Sequence, residues 1–415
     1  MAMHVNITET RKNHGVTNPK DEKGFCVIPF TQSFIQDNRS RLCCESKQTD
    51  VFYLTEDVNF SDIWNNDFHQ SIRKQMLSGS GVLPTCCEIC TMDEESGEES
   101  MRQFQNKYQN ASIADFNSVI APPPISYDIR ANNKCNLECV MCDGRLSTAI
   151  HKRLNDYGLT DDDDFPVTFG EEWKQQAYII DHVKENSSNI TSMRFAGGEP
   201  FLMPEVLDML EYFANTGDSK NIDLQILTNG TTVRTKWFSN ILTKYKKVRL
   251  KISIDGIGET GEYVRYPSKW SVVDKNIQRL LKISKENDNI NVDLVPVIHL
   301  LNALEMDKVI EYAAINEVDM ALTPVYTASS NYHITADLLT NDLRKIAHDK
   351  MMNMLDKYPD MSFSVGKGFI TNLLNMKQRT DPRPIQQLNQ VVKYWDSHRE
   401  VKFLDRYPYL DYLIK

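Results

Sequence analysis

The sequence contains no apolar run that approaches the roughly 18 residues needed for a membrane span. Its first residues also lack a basic stretch followed by an apolar stretch, which is the pattern of a secretory signal. Both absences predict a cytoplasmic protein that does not bind a membrane. Cysteines stay reduced in that compartment, so disulfide bonds are not their expected role.

An excess of positive charge is absent as well. Lys and Arg number 47 while Asp and Glu number 57, which gives a net charge of −10. This balance gives no clear sign of nucleic-acid binding, which normally needs a basic surface. Hydrophobic residues make up 41% and charged residues 25%, so a mostly disordered chain is excluded. A length of 415 residues fits two or three globular domains.

Cysteine is missing from the whole chain beyond residue 142. The nine cysteines lie at positions 26, 43, 44, 86, 87, 90, 135, 139 and 142. Such crowding of thiols, where disulfides are not expected, indicates ligation of a metal ion or an iron–sulfur cluster.

Three regions with different patterns follow one another along the chain. Residues 1–124 are rich in cysteine and end in a stiff run of three prolines. Residues 125–330 alternate strand and helix patterns, which predicts an α/β fold with a parallel array of strands. Residues 331–415 are predicted to be a mostly helical extension. The predicted strands are Ile125–Arg130, Ile190–Phe195, Ile222–Thr228, Val248–Ile254, Ile290–Ile298 and Val318–Pro324.

A group of three cysteines directly follows the first predicted strand. Cys135, Cys139 and Cys142 have the spacing C-x3-C-x2-C. Three thiolates on one loop can bind three irons of a [4Fe–4S] cube and leave the fourth iron open. The alternative is a zinc site with His151 as its fourth ligand.

Small and polar residues follow the next three predicted strands. Gly197-Gly198-Glu199-Pro200 combines exposed main chain with a carboxylate suited to an ammonium group. Thr228-Asn229-Gly230 follows the third strand, and Ser253 and Asp255 lie at the end of the fourth, with Arg265 in the next loop. Because parallel strands present their carboxyl ends at one edge, these groups are expected to meet there. His299 and Asn302, after the fifth strand, are expected to be satisfied polar core rather than ligand contacts.

Together these motifs resemble those of the radical S-adenosylmethionine (radical SAM) superfamily. The resemblance covers roughly residues 125–325 and implies a partial (β/α)6 TIM barrel. It implies that Cys135, Cys139 and Cys142 hold a [4Fe–4S] cluster whose open iron binds SAM. It also implies cofactor-binding roles for Gly197, Gly198, Glu199, Pro200, Thr228, Asn229, Ser253, Asp255 and Arg265. Among these, Gly197–Pro200 would receive the SAM amino group, Ser253 and Asp255 would contact ribose or methionine, and Arg265 would pair with the carboxylate.

The resemblance also implies an activity. The cluster, supplied by a one-electron donor such as flavodoxin or ferredoxin, would cleave SAM to a 5′-deoxyadenosyl radical that abstracts hydrogen from a substrate. A peptide or protein is the expected substrate of this oxidoreductase-like chemistry. Two alternatives stay open, namely a nucleotide or small metabolite as substrate, and a non-catalytic scaffold that binds zinc or an iron–sulfur cluster.

The six leading cysteines carry a second resemblance. Pro84-x2-Cys87-x2-Cys90 and the segment Phe25–Phe30 are similar to twitch or SPASM-like segments that hold an auxiliary cluster. This implies a second [4Fe–4S] cluster on Cys26, Cys43, Cys87 and Cys90. Cys44 and Cys86 would be spare, and a swap within Cys43–Cys44 or Cys86–Cys87 stays open as an alternative. Zinc at this site is the other alternative.

Overall fold

The computed structural model describes residues 22–36, 39–46, 52–55, 57, 59–95, 99–159, 177–325, 332–359, 361, 363–365 and 367–415. Within these ranges a ten-stranded sheet forms the centre of the molecule. No helix in the described part of the chain is both long and apolar enough to cross a membrane.

The sheet is parallel over most of its width. Its spatial order is β12-β10-β8-β7-β6-β5-β4-β1-β2-β3, in which only β2 and β3 run antiparallel to their neighbours. Two further short strands, β9 and β11, pair with each other in parallel. The strands are β1 (Gln32–Gln36), β2 (Arg39–Arg41), β3 (Phe52–Tyr53), β4 (Ser126–Arg130), β5 (Ser192–Phe195), β6 (Asp223–Thr228), β7 (Lys247–Ile252), β8 (Ile290–Leu294), β9 (Val297–Ile298), β10 (Asp319–Ala321), β11 (Thr323–Pro324) and β12 (Phe363–Val365).

All six predicted strands are present, which confirms the α/β prediction. The fifth is divided into β8 and β9 because Pro296, which has no amide hydrogen, interrupts the ladder. The sixth is likewise divided into β10 and β11. The prediction did not include β1 or β12, which extend the parallel array on either side.

Strand β1 joins the cysteine-rich region to the same sheet. It pairs in parallel with β4, with Ser33 opposite Tyr127 and Ile35 opposite Ile129. Its three central residues are buried, but five residues with polar ends are too short a pattern to be recognised as a strand. The sheet therefore runs across the expected boundary near residue 124.

Helices cover the apolar face of the sheet. The helix α8, for example, buries Val206, Leu210 and Phe213 at helical spacing, as its sequence predicts. Another predicted helical pattern begins at Trp173, which lies outside the described residues. The helices are α1 (Ile28–Thr31), α2 (Phe60–Trp64), α3 (Asp67–Leu77), α4 (Glu88–Glu95), α5 (Met101–Gln109), α6 (Thr148–Tyr157), α7 (Ala177–Glu185), α8 (Pro204–Thr216), α9 (Thr235–Ile241), α10 (Glu259–Val264), α11 (Trp270–Lys285), α12 (Met306–Ile315), α13 (Asn341–Lys357), α14 (Lys367–Asn372), α15 (Pro382–His398) and α16 (Phe403–Arg406).

The opposite face of the sheet is polar and charged. Asp128 on β4 lies opposite Arg194 on β5 in the strand register, and the two form an ion pair of 2.9 Å. Arg249 on β7 pairs with Asp293 on β8 at 3.3 Å. Lys251 is buried on the same face, and burial lowers its pKa to about 7. We call this row of side chains the polar face.

The cysteine-rich region has a small apolar cluster of its own, which includes Phe25, Phe30 and Ile72. Its framework depends on Arg73, a fully buried arginine on α3. The guanidinium donates to the carbonyls of Pro29 (2.7 Å), Trp64 (2.8 Å) and Val119 (3.0 Å). One side chain thus ties together three separate stretches of this region.

Replacement of Arg73 by Met is expected to lower the free energy of unfolding by about 2–5 kcal/mol, because two buried carbonyls and one half-buried carbonyl lose their donor. The matched control is Lys74→Met, since Lys74 is the exposed neighbour on the same helix; a change within about 0.5 kcal/mol is expected there. Urea unfolding measures both. Equal effects of the two substitutions would show that Arg73 does not organise this region.

Candidate functional site

Three cysteines lie on the loop of residues 131–147, between β4 and α6. Cys135, Cys139 and Cys142 are all half-buried there. The loop is held by main-chain hydrogen bonds from Glu138 N to Tyr266 O (2.6 Å) and from Val140 N to Val264 O (2.9 Å). The chain itself therefore defines the path of this cysteine loop.

The thiols of the cysteine loop resist ionisation. Burial raises the pKa of Cys135 to about 12, and it also raises the pKa of Cys139 and Cys142. Two groups oppose this effect, namely the Leu137 amide beside the Cys135 sulfur and the Arg265 guanidinium, whose Nη1 is 3.8 Å from Cys139 Sγ. Three thiolates can coexist here only with a positively charged partner, and a metal centre is such a partner.

The glycine turn after β5 contacts the cysteine loop directly. Glu199 N donates to Lys134 O at 2.8 Å. Gly198 has a φ of +51°, and a Cβ at this position would lie 2.5 Å from Lys134 O. Only glycine allows this approach between the two loops.

The Glu199 carboxylate faces the interior. It is completely buried and accepts hydrogen bonds from Thr228 Oγ1 (2.8 Å), Asn229 N (2.6 Å) and Phe201 N (3.2 Å). Burial raises its pKa to about 7. The sequence suggested that this carboxylate meets an ammonium group. That role stays a prediction. In the structure the carboxylate joins the end of β5 to the end of β6, and the Glu199 amide donates to the cysteine loop at Lys134 O.

Asn229 connects the end of β6 to the cysteine loop. Its Nδ2 donates to Asn136 Oδ1 at 2.9 Å and lies 3.9 Å from Cys135 Sγ. Asn276 on α11 supports this turn by donating to the carbonyls of Gly230 (2.9 Å) and Thr231 (3.0 Å). Asn276 was not predicted as a site residue from the sequence. A polar residue at a buried position of an amphipathic helix is nevertheless a signal that could have identified it.

Asp255 is also completely buried. Its Oδ2 lies 2.6 Å from Arg265 Nε, and its Oδ1 accepts from Val297 N at 2.6 Å. Both oxygens thus have partners in the chain, and Asp255 orients Arg265 toward Cys139. Ser253 is half-buried at the end of β7, where its amide donates to Thr228 O at 2.9 Å.

Two buried side chains complete this edge of the sheet. Asn302 donates to the carbonyls of Asp255 (2.9 Å) and Val297 (2.8 Å), which confirms its expected role as satisfied polar core. His299 differs in part, because its Nδ1 accepts from Leu301 N at 3.1 Å while its Nε2 has no partner within the described ranges. Burial lowers the pKa of His299 to about 3. His151, the alternative zinc ligand, lies on α6 with its Nε2 3.2 Å from Asn155 Nδ2.

A second set of thiols lines a cavity in the cysteine-rich region. Cys26, Cys43, Cys87 and Cys90 all border it, and it holds about 350 Å³ of empty space including its opening. Cys44 does not border this cavity and is close to Arg194 and Asp128 of the polar face. Cys86 does not border it either, and its sulfur is 4.0 Å from that of Cys87. The structure therefore brings together the four cysteines that the sequence resemblance selects.

Main-chain amides point at the sulfurs of this second set. The amide of Ile28 bonds Cys26, that of Glu45 bonds Cys43 and that of Arg102 bonds Cys90. Burial nevertheless raises the pKa of Cys26 to about 12 and that of Cys90 to about 11. As they stand, the side chains of the described residues include no group of three or more His, Cys, Asp or Glu that could hold a metal ion.

The two cysteine sites border the same polar face. Glu45 lines the cavity of the second set and is close to Arg130 and Arg194. The stem of Arg130 in turn packs against Gly197, where an added Cβ would lie 3.2 Å from Arg130 Cδ. One layer of charged side chains thus lies between the cavity and the glycine turn.

Comparisons with known proteins identify relatives. Residues 129–313 match the family model described as the Radical SAM superfamily. The chain is 20% identical over 226 residues to the antilisterial bacteriocin subtilosin biosynthesis protein AlbA of Bacillus subtilis (strain 168). That alignment covers 50% of this chain and 45% of AlbA, so the chain spans less than half the length of this curated relative.

Two solved structures are also similar. The structure of anSMEcpe with bound AdoMet has 18% identity and a TM-score of 0.42, over 62% of this chain and 68% of that chain. The structure of Streptococcus suis SuiB bound to the precursor peptide SuiA has 13% identity and a TM-score of 0.40, over 71% of this chain and 65% of that chain.

Replacement of Gly198 by Ala is expected to displace the cysteine loop, because the new Cβ overlaps Lys134 O. The control is Gly217→Ala, which has a φ of +86° but open space around the Cβ. Both variants bear the strain of positive φ, about 1–2 kcal/mol, and overlap should cost Gly198→Ala about 1–3 kcal/mol more. Urea unfolding of the metal-free protein tests this, and equal losses would argue against close contact of the two loops.

Glu199 is expected to make stability depend on pH. Its pKa is about 7 in the folded chain against an ordinary 4.5, so its contribution is complete below about pH 4.5 and is lost as the pH rises through about 7. Relative to Glu199→Gln, the wild type should therefore lose about 3 kcal/mol between pH 4.5 and pH 7.5. Unfolding of both proteins across this range measures the difference, and other buried groups cancel. A wild type that instead gains relative stability with pH would mean that the carboxylate is easily ionised.

Proposed function

We propose that the protein, whose residues 129–313 match the Radical SAM superfamily model, cleaves S-adenosylmethionine reductively at a [4Fe–4S] cluster and abstracts hydrogen from a peptide or protein. The observation that carries the proposal is the convergence of three loops. The cysteine loop, the glycine turn and the end of β6 are bonded to each other through Lys134, Glu199 and Asn229. This edge is where parallel α/β folds bind their ligands.

The residues present fit an iron–sulfur cluster. Cys135, Cys139 and Cys142 would hold three irons and leave the fourth for SAM. The Leu137 amide and the Arg265 guanidinium are already directed at two of these sulfurs, where they offset the negative charge of thiolates. The close contact at Gly198 leaves main-chain groups of the turn, rather than a side chain, beside the cluster site.

When bound and reduced, the cluster supplies the electron that splits SAM and yields the 5′-deoxyadenosyl radical. The chain's part is to bind and orient. The main chain of Gly197–Pro200 would receive the SAM amino group, while the Ser253 hydroxyl and the Arg265 guanidinium are available to the ribose and the carboxylate. Thr228 and Asn229 hold the loops together, and Asp255 fixes Arg265 in place.

The second cysteine set would hold an auxiliary [4Fe–4S] cluster. Cys26, Cys43, Cys87 and Cys90 form a complete set of four ligands around one cavity. The amide hydrogen bonds to three of these sulfurs would stabilise the thiolate form. Such a cluster would lie beside the polar face, where we propose that the substrate binds. Zinc in the same cavity is the alternative, since four thiolates also suit that ion.

A peptide or protein substrate is supported by the relative in bacteriocin biosynthesis, because a bacteriocin is itself a ribosomally made peptide or protein. The polar face offers both charge signs to the polar backbone and side chains of such a substrate. A nucleotide or small metabolite is the second candidate for the substrate. A one-electron donor such as flavodoxin or ferredoxin would reduce the cluster.

Metal content per chain, after anaerobic purification and reconstitution, tests the proposal. About eight irons are expected, four for each cluster. Changing Cys135, Cys139 and Cys142 together to Ala should remove about four irons and abolish SAM cleavage. Changing Cys26, Cys43, Cys87 and Cys90 should remove the other four. The matched control is the double variant Cys44→Ala and Cys86→Ala, which should keep all eight because neither side chain borders the cavity.

The outcomes separate the alternatives. About four irons, lost with the Cys135 set alone, would leave the SAM site and exclude the auxiliary cluster. Iron loss in the Cys44 and Cys86 control would reassign the ligands. Zinc without iron would contradict the proposed enzymatic function and favour a non-catalytic scaffold. Once cleavage is seen, peptides encoded beside the gene are the first substrates to assay, with 5′-deoxyadenosine as the measured product.

A further inference from the structure

The cysteine loop is held from outside the matched domain by Arg399. This residue directly follows α15, far beyond residue 313 where the family match ends. Its side chain is buried. Nη2 donates to Glu138 O at 3.0 Å, and Nη1 donates to Tyr263 O at 2.8 Å. Arg399 therefore bonds the residue next to Cys139 and the end of α10 at the same time.

Aromatic rings surround the guanidinium. Its central carbon lies 4.9 Å from the ring centre of Tyr263, 5.1 Å from that of Tyr266 and 5.0 Å from that of Trp395. Three ring faces and two carbonyls compensate the removal of the cation from water. The planar guanidinium fits between these rings and can donate to both carbonyls at once. A lysine ammonium lacks the forked pair of donors and the flat stacking surface.

The Arg399 guanidinium lies next to a main-chain hydrogen bond that holds the cysteine loop. Glu138 N donates to Tyr266 O at 2.6 Å, so Arg399 and Tyr266 hold the two main-chain groups of a single residue. The Glu138 carboxylate lies 3.4 Å from Arg153 Nε and 3.2 Å from His398 Nε2. Without the Arg399 guanidinium, the segment that precedes Cys139 would lose its hydrogen bond at Glu138 O. The negative charge of the Glu138 carboxylate would stay beside that segment.

Two cations consequently lie near Cys139. Arg265 Nη1 contacts its sulfur at 3.8 Å, and Arg399 donates to the carbonyl of the preceding residue, Glu138. A cation beside a cluster ligand favours the more reduced, more negative state of the cluster, because reduction adds negative charge.

We infer that Arg399 is a positioning residue of the C-terminal extension, which fixes Cys139 in the cysteine loop and raises the reduction potential of the SAM-binding cluster. The inference rests on the proposed function, since it needs a cluster on Cys135, Cys139 and Cys142. It assigns the extension a part in the redox chemistry in addition to its packing.

The test compares Arg399→Gln, Arg399→Lys and Arg344→Gln in the full-length reconstituted protein. Arg344 is the matched control because it is equally buried in the same extension and donates to the carbonyls of Leu373 (3.2 Å) and Met376 (2.7 Å). Redox titration monitored by EPR, on the signal that changes when SAM is added, gives the potential of the open cluster. The signal that SAM leaves unchanged is an internal reference.

Arg399→Gln should shift the potential of the SAM-sensitive signal to more negative values and leave the reference signal in place. Arg399→Lys should restore most of the potential because it keeps the charge. Arg344→Gln should lower stability without moving either potential. An unchanged potential in Arg399→Gln with full iron content, or an equal shift in Arg344→Gln, would overturn the inference.

Alkylation of the metal-free full chain provides a second measurement, independent of the cluster. Cys139 should react several-fold faster in Arg399→Lys than in the wild type, because this variant keeps the charge but loses the forked contact with Glu138 O. Unchanged reactivity in Arg399→Lys would overturn the positioning role. A wild type that binds no iron at its Cys135 set would instead refute the proposed function, while the alkylation result would still decide whether Arg399 holds the loop.

Discussion

The buried Glu199 carboxylate is the interaction on which the edge of the sheet depends. Its two oxygens take three donors from two different loops, and its own amide bonds the cysteine loop. A carboxylate without these donors could not remain in such a place. The ends of β5 and β6 and the loop after β4 are therefore fixed relative to each other by one residue. Arg265 and Arg399 then direct positive charge to the cysteine loop that Glu199 has positioned.

The two groups of cysteines belong to one structure and not to two separate modules. Strand β1 continues the sheet of residues 129–313 into the cysteine-rich region. Glu45 and Cys44 lie against Arg130, Arg194 and Asp128, which are residues of β4 and β5. Side chains of both regions therefore meet at the polar face.

The sequence was sufficient to predict the strands of the domain because their alternation and length are local properties. The four cysteines around the cavity could be selected only by resemblance, since spacing alone does not distinguish Cys43 from Cys44. The hydrogen-bond partners of the site residues could not be predicted. Glu199 and Asp255 bind Thr228 and Val297, which are distant from them along the chain. Arg399 gave no signal for the same reason, as 261 residues separate it from Glu138.

The parallel pairing of β1 with β4 also has a consequence for synthesis on the ribosome. Residues 32–36 leave the exit tunnel well before residues 126–130, and both strands precede β5 and the strands that follow it. Strand β4 therefore finds a partner for one edge as soon as it emerges. An edge that is paired early cannot recruit strands from neighbouring nascent chains. The cysteine-rich region can in this way protect the growing sheet from aggregation during synthesis.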